Sequence, residues 1–115
     1  MPKTKIEKFQ KERERLNKIV IKYGKTNIKR FYSIDSCVYK AGALSAKTKE
    51  LLGLVASLVL RCDDCVKYHI IQCRKQKVKD DEFEEALSIA LVVGGSIVIP
   101  HLRRAFEAWK QVHKN

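Results

Sequence analysis

The chain is predicted to be all-α, with about six helices in one domain. Apolar residues recur every three or four positions along most of its 115 residues, no stretch alternates with the period of a strand, and capping residues and glycines punctuate the periodic runs. At this length a single core is the natural solution, so residues 1–115 are read as one domain. There is no internal repeat and no low-complexity segment.

From Thr4 to Tyr23, Ile6, Phe9, Leu16, Ile19, Val20 and Tyr23 form one apolar stripe on a basic helix, assigned to residues 1–26, with Gly24 as a left-handed stop. Residues 25–30 are polar and basic and read as a connection. Phe31, Ile34, Cys37, Val38 and Ala41 predict a second, shorter helix reaching Gly42. Cys37 falls on its apolar side, where a free cysteine is usually a small core residue.

Ser45 is a good N-cap for a third helix that carries Glu50 and the run Leu51 to Leu60. That helix is apolar nearly all round and therefore central, with only Lys47, Glu50, Gly53 and Ser57 forming a narrow polar or small stripe. Arg61 and Cys62 break the run. Asp63 then caps a fourth helix extending to about Gln76. Asp81 with Glu84 resembles a capping box for a fifth helix, Glu82 to Val93. Gly94-Gly95 makes the next turn, and a last helix runs from about Ser96 to Val112, with Pro100 near its start.

Composition narrows the class further. No charged segment followed by an apolar one opens the chain, and the apolar stretch from Ala86 to Pro100 is interrupted and too short to cross a bilayer. A soluble, cytoplasmic protein without membrane contact is expected. In that compartment four cysteines suggest catalysis, metal binding or simple burial, not a disulfide scaffold. Of the net charge of +11, residues 1–30 contribute +8, from 11 Lys or Arg against 3 Glu. Such a segment can bind phosphate, but the solvated face of an ordinary helix is the simpler reading, so nucleic acid is not an expected partner.

The segment from Cys62 to Cys73 bears the chemistry. On a helix Cys62, Cys65 and His69 share one stripe, placing two thiols and an imidazole in mutual reach. A thiolate is favoured by a helix N-terminus and a nearby proton acceptor, although Asp63 and Asp64 oppose it, and a second thiol one turn away can trap the oxidised sulfur. A redox dithiol is the leading reading. Zinc is the next, but Cys62, Cys65, His69 and Cys73 on one straight helix spread over about 16 Å, so a metal site would need Cys37 as well. The spacing could also be chemically inert. Glu50 is either a proton-relay carboxylate in an apolar setting or a first-turn residue stabilising the helix dipole. His101 could approach the centre from another segment or be an ordinary helix-start histidine. His113 is expected in solvent, and Cys73, too far along to resolve Cys65, is expected to pack.

Glu50, twelve residues to Cys62, then Cys65 and His69, followed by an acidic capped helix and a Gly-Gly turn, resembles the alkylhydroperoxidase D and carboxymuconolactone decarboxylase family. The resemblance covers residues 44–110, the motif-bearing core. It implies an all-α homo-oligomer, a homotrimer or homohexamer. Retention of both cysteines lies nearer the peroxidase branch than the lactone decarboxylase branch. By that resemblance Cys65 is the peroxide-attacking thiol, Cys62 the resolving thiol, and Glu50 and His69 the proton relay. The partners implied are a hydroperoxide substrate and an external dithiol or thioredoxin-like reductant, with no bound cofactor and no metal. Where the best-known member has a histidine before the second cysteine, this chain has Asp64, whose charge opposes a thiolate. Two other classes remain: a non-redox, lactone decarboxylase-like enzyme using Glu50 and His69, and a basic binding module with structural zinc.

Overall fold

A computed structural model describes residues 2–113, and the described residues form six α-helices and no strand. They are α1 (Lys5–Tyr23), α2 (Thr26–Val38), α3 (Ala46–Val59), α4 (Asp63–Lys75), α5 (Asp80–Gly94) and α6 (Ile99–Val112), with one short 3₁₀ turn, Ser96–Val98, before the last. None of these helices is long and apolar enough to cross a membrane.

The core is built by α3 packing on α4 and α5, and by α4 packing on α6. Phe83, Leu54, Leu58, Ile70, Leu87, Val98 and Cys73 are fully buried there. Phe83 stacks on Trp109 with ring centroids 4.3 Å apart, and Phe106 meets it edge-on at 5.3 Å. The indole N–H of Trp109 donates to Asp80 at 2.9 Å, which satisfies the one polar group this buried ring carries. His113 is exposed as expected, with its ring 4.3 Å from that of Trp109 and its Nδ1 2.8 Å from the Trp109 carbonyl. A Phe83→Ala variant is expected to lose about 3–5 kcal/mol of stability, read from the midpoint of urea unfolding.

Helix α1 starts with a complete capping box. Thr4 Oγ1 accepts from the Glu7 N–H while the Glu7 carboxylate accepts from the Thr4 N–H. The free N–H of Ile6 in the first turn donates to Gln111 at 3.1 Å, so α1 is tied to α6 as it begins.

Several boundaries differ from expectation. Gly24 is extended, φ −68° and ψ 142°, not left-handed. Glycine is required there for space, since a Cβ would lie 2.6 Å from the Val20 carbonyl and 3.1 Å from Ile28 Cγ2. The connection expected over residues 25–30 shrinks to Gly24 and Lys25, because Thr26 to Arg30 form the first turns of α2. Their polarity marks solvation, not a break. That helix ends at Val38, short of Gly42. Its apolar side faces outward, with Phe31 70% and Ile34 62% exposed, so Cys37 is exposed and not a core residue. The 3.6-residue period identified a face to be covered, and none of the described residues buries it.

Ser45 caps α3 as expected, accepting from the Thr48 N–H. The cap of α4 is Cys62 and not Asp63, and the cap of α5 is Lys79, two residues earlier than Asp81 and Glu84 suggested. There Glu82 accepts from the Lys79 N–H at 2.8 Å, and the acids at 80–82 sit where the helix dipole favours them.

Candidate active site

The face of α3 that meets α4 carries Glu50, Gly53 and Ser57 at helical spacing. Glu50 and Ser57 are buried although the helix is otherwise apolar. After Val59 the chain turns sharply through Arg61, whose φ is +59°, and the Cys62 N–H donates to the Ser57 carbonyl at 3.1 Å. That bond fixes where the cysteine segment leaves the turn.

Cys62 then takes the N-cap position of α4. Its sulfur accepts from the Cys65 N–H at 3.3 Å, as a serine or aspartate oxygen would elsewhere. The open N–H end of the helix is thus aimed at Cys62, while Cys65 sits in the first turn. Both are free thiols. Burial, the hydrogen bond and charge of Cys62, and the nearby Asp64 carboxylate together push the Cys65 thiol up to about 11. The expected help from the helix dipole is therefore overridden at Cys65. An Asp64→Asn variant removes one like charge and is expected to lower that value, raising the thiolate absorbance of the reduced protein at mildly alkaline pH.

One turn further on, His69 is buried at 7% exposure beside Glu50 at 5%. Glu50 Oε1 lies 2.9 Å from His69 Nδ1 and accepts a hydrogen bond from the Nδ1–H of the neutral imidazole. The opposite nitrogen, Nε2, is then the free base and lies 3.4 Å from the Tyr39 hydroxyl. Glu50 is not a first-turn dipole residue, since the first turn of α3 contains no acid. Its carboxylate is committed to the histidine.

Two residues that the sequence did not single out for the site complete this arrangement. Tyr39 directly follows α2, with its ring 5.2 Å from that of His69, and Tyr68 packs edge-on against the other side at 5.1 Å. Tyr39 is held because Lys49 donates to the Val38 and Lys40 carbonyls at 2.9 and 2.8 Å, a cation at the end of α2. Burial, with the charges of Asp35 and Glu50 and smaller effects of Tyr68 and Cys65, raises the Tyr39 phenol, so it stays protonated and can donate to Nε2. Gly53 provides the floor. A Cβ there would stand 2.7 Å from His69 Cε1 and 2.9 Å from both His69 Nε2 and the Tyr39 hydroxyl.

Cys65 and His69 open onto one cleft of about 650 Å³ between α4 and the outer helices. Cys73 does not: it is fully buried, and burial and the charge of Glu50 push its thiol up to about 12. His101 does approach the cysteine segment, through Asp63. Its Nδ1 donates to Asp63 Oδ1 and Arg104 Nε donates to Oδ2, each at 2.8 Å. Burial pushes the Asp63 carboxyl up, but these two bonds outweigh it and hold the group below its usual range. The first acid of α4 is thereby neutralised and the second, Asp64, is not. Among the described residues no three His, Cys, Asp or Glu side chains converge as metal ligands, and Cys37, which the zinc reading required, belongs to no such group.

The model of the carboxymuconolactone decarboxylase family matches residues 30–108, which include every residue of this site and begin well before the motif at Leu44. A solved carboxymuconolactone decarboxylase family protein of Thermotoga maritima, with a suggested part in the antioxidative response, is 55% identical. It superposes with a TM-score of 0.89 over 93% of this chain and 91% of its own. A family member from Legionella pneumophila, 25% identical, superposes at 0.86 over 93% and 96%. An uncharacterised protein of Cupriavidus necator is 29% identical over 65 residues, 56% of this chain and 58% of its own length. The family match, the shared helical fold and the Glu50, Cys62, Cys65 and His69 pattern agree: this chain belongs to the carboxymuconolactone decarboxylase family.

Proposed function

We propose that the protein is a thiol-dependent peroxidase of the alkylhydroperoxidase type. The observation that carries this reading is His69, paired with the buried Glu50 and opening onto the same cleft as Cys65, with Cys62 one turn away. A thiol held at about 11 is almost wholly protonated at neutral pH, so attack requires a base, and His69 Nε2 is available as one. His69 takes the Cys65 proton, directly or through the Tyr39 hydroxyl, and Glu50 stabilises the imidazolium that forms. The Cys65 sulfur attacks the peroxide, forming S–O as O–O breaks, and the departing alkoxide takes a proton to become an alcohol. Cys62 then attacks the sulfenic sulfur and releases water, closing a disulfide. An external dithiol or a thioredoxin-like protein reduces that disulfide and is itself oxidised.

The test is the intact mass of the reduced protein before and after about one equivalent of an organic hydroperoxide. Loss of two hydrogens, mapped to Cys62 and Cys65 and abolished by Cys65→Ser, is the expected result. A pair that stays reduced, or oxidation scattered over Cys37 and Cys73, contradicts it. The high Cys65 value also favours a second reading, a non-redox lactone decarboxylase-like enzyme that uses only Glu50 and His69. Lactone turnover surviving Cys62→Ser and Cys65→Ser would establish that one.

The uncovered apolar residues of α2, with Val92 84% and Val93 69% exposed at the end of α5, support assembly as a homotrimer or homohexamer. Sedimentation equilibrium is expected to give three or six copies, and a monomer throughout the concentration range would end that proposal.

A further inference from the structure

The cleft over Cys65 has two chemically different walls. On the reacting wall lie Cys65, His69 and Tyr68, with Asp64 beside Cys65 and Asp35 close enough to raise both Tyr39 and Tyr68. Facing it, α1 forms the roof, contributing Phe9 and Leu16 as apolar lining and Lys8 and Arg13 as cations. The Lys67 ammonium from α4 lies 5.5 Å from the centre of the Phe9 ring, and the Arg13 guanidinium lies 4.2 Å from that of Tyr68.

The charges do not cancel among themselves. Glu12, the one acid α1 adds to the cleft, is taken by Arg15, with contacts of 3.0 and 2.6 Å. Lys5 is engaged by Glu107 at 3.2 Å. Lys8, Arg13 and Lys67 form no ion pair with any described residue, and all three border the same space. A cleft of about 650 Å³ that sets Phe9, Leu16 and Tyr68 among charged side chains, with unpaired cations on its roof, is the size of a small-molecule site. A guanidinium lying on an aromatic face keeps its outward N–H groups free for a carboxylate. The roof precedes residue 30, where the family match begins.

We infer that this cleft takes an amphipathic carboxylic acid, and that the preferred substrates are hydroperoxides of such acids. The apolar body lies along Phe9, Leu16 and Tyr68, the carboxylate rests among Arg13, Lys8 and Lys67, and the peroxide is directed to Cys65. The substrate part rests on the peroxidase reading, whereas the binding of the acid does not.

Two measurements on the full chain separate them. In the first, decanoate and 1-decanol are compared as protectants of Cys65 against iodoacetamide, with the modified peptide quantified. Decanoate is expected to slow alkylation about tenfold more than the alcohol, an advantage that shrinks with added salt and with Arg13→Gln or, independently, Lys67→Gln. Equal protection by acid and alcohol, or an advantage indifferent to salt and to both substitutions, overturns the site. In the second, single-turnover oxidation of Cys65 is followed with linoleic acid hydroperoxide and with its methyl ester. The acid is expected to react about tenfold faster, with the ratio falling toward one in the same variants. A ratio of one in the unmodified protein overturns the substrate class. Failure of both peroxides beside selective protection by decanoate removes the peroxidase reading and the substrate class while the acid site stands.

Discussion

A Gly53→Ala variant is expected to oxidise its Cys65 about a hundredfold more slowly than the parent while remaining folded, a loss typical of a base displaced by about 1 Å. By helix propensity alone the change should help, since alanine is favoured over glycine in a helix interior by about 1 kcal/mol. The added methyl would nevertheless stand 2.7 Å from His69 Cε1 and 2.9 Å from both Nε2 and the Tyr39 hydroxyl. Those are ends of side chains, so they give way before the α3 backbone does. The cost therefore falls on the 2.9 Å contact between His69 and Glu50 and on the 3.4 Å contact with Tyr39, not on the core. Thermal unfolding within about 1 kcal/mol of the parent, together with the slow oxidation, would separate a displaced base from a disrupted fold. An unchanged oxidation rate would mean that the position of His69 does not matter to the chemistry.

Glu50→Gln is expected to lower peroxide turnover by about a hundred- to a thousandfold. The amide oxygen can still accept from His69 Nδ1, so tautomer and ring orientation survive, and the substitution removes only the negative charge that stabilises the imidazolium. Its stability should hold or rise, because a buried carboxylate costs desolvation that an amide largely avoids. A loss below about tenfold would assign Glu50 a merely orienting part. With dithiothreitol as reductant, the comparison depends on no protein partner.

The helices were legible where apolar periodicity and capping coincide, as from Ser45 to Leu60, and illegible where one signal appears without the other. Thr26 to Arg30 are helical but carry a single apolar residue, Ile28, so no stripe marked them. Cys37 lies on an apolar stripe that faces away from its own chain, because periodicity identifies a face but not what covers it. Cys62 stands in the capping position that Asp63 seemed made for. A sulfur is a poor acceptor, and the turn at Arg61 together with the Ser57 carbonyl, not side-chain preference, fixed the start of α4.

Glu50 and His69 could be paired from sequence because each has a fixed place on its own helix and because the pattern resembles a known family. Tyr39 could not: it lies beyond the end of α2 in an irregular bend, and its approach to His69 depends on Lys49 holding the Val38 and Lys40 carbonyls on either side of it. Gly53 did leave a signal. A glycine inside an otherwise strong helix usually marks close approach by another group, and here that group is the His69 ring.

The most direct measurement of the relay is the single-turnover rate of Cys65 oxidation by tert-butyl hydroperoxide, recorded against pH for the parent and for His69→Gln. With its thiol raised to about 11, Cys65 gains thiolate about tenfold per pH unit across the neutral range, and fully only above that value. Without the base, the rate should follow that slope. With it, the parent should react faster at neutral pH and rise less steeply, the two curves converging toward pH 11 as the free thiolate takes over. Parallel curves, both climbing with the thiolate fraction, would mean that His69 and Glu50 do not deliver the proton transfer on which the account rests.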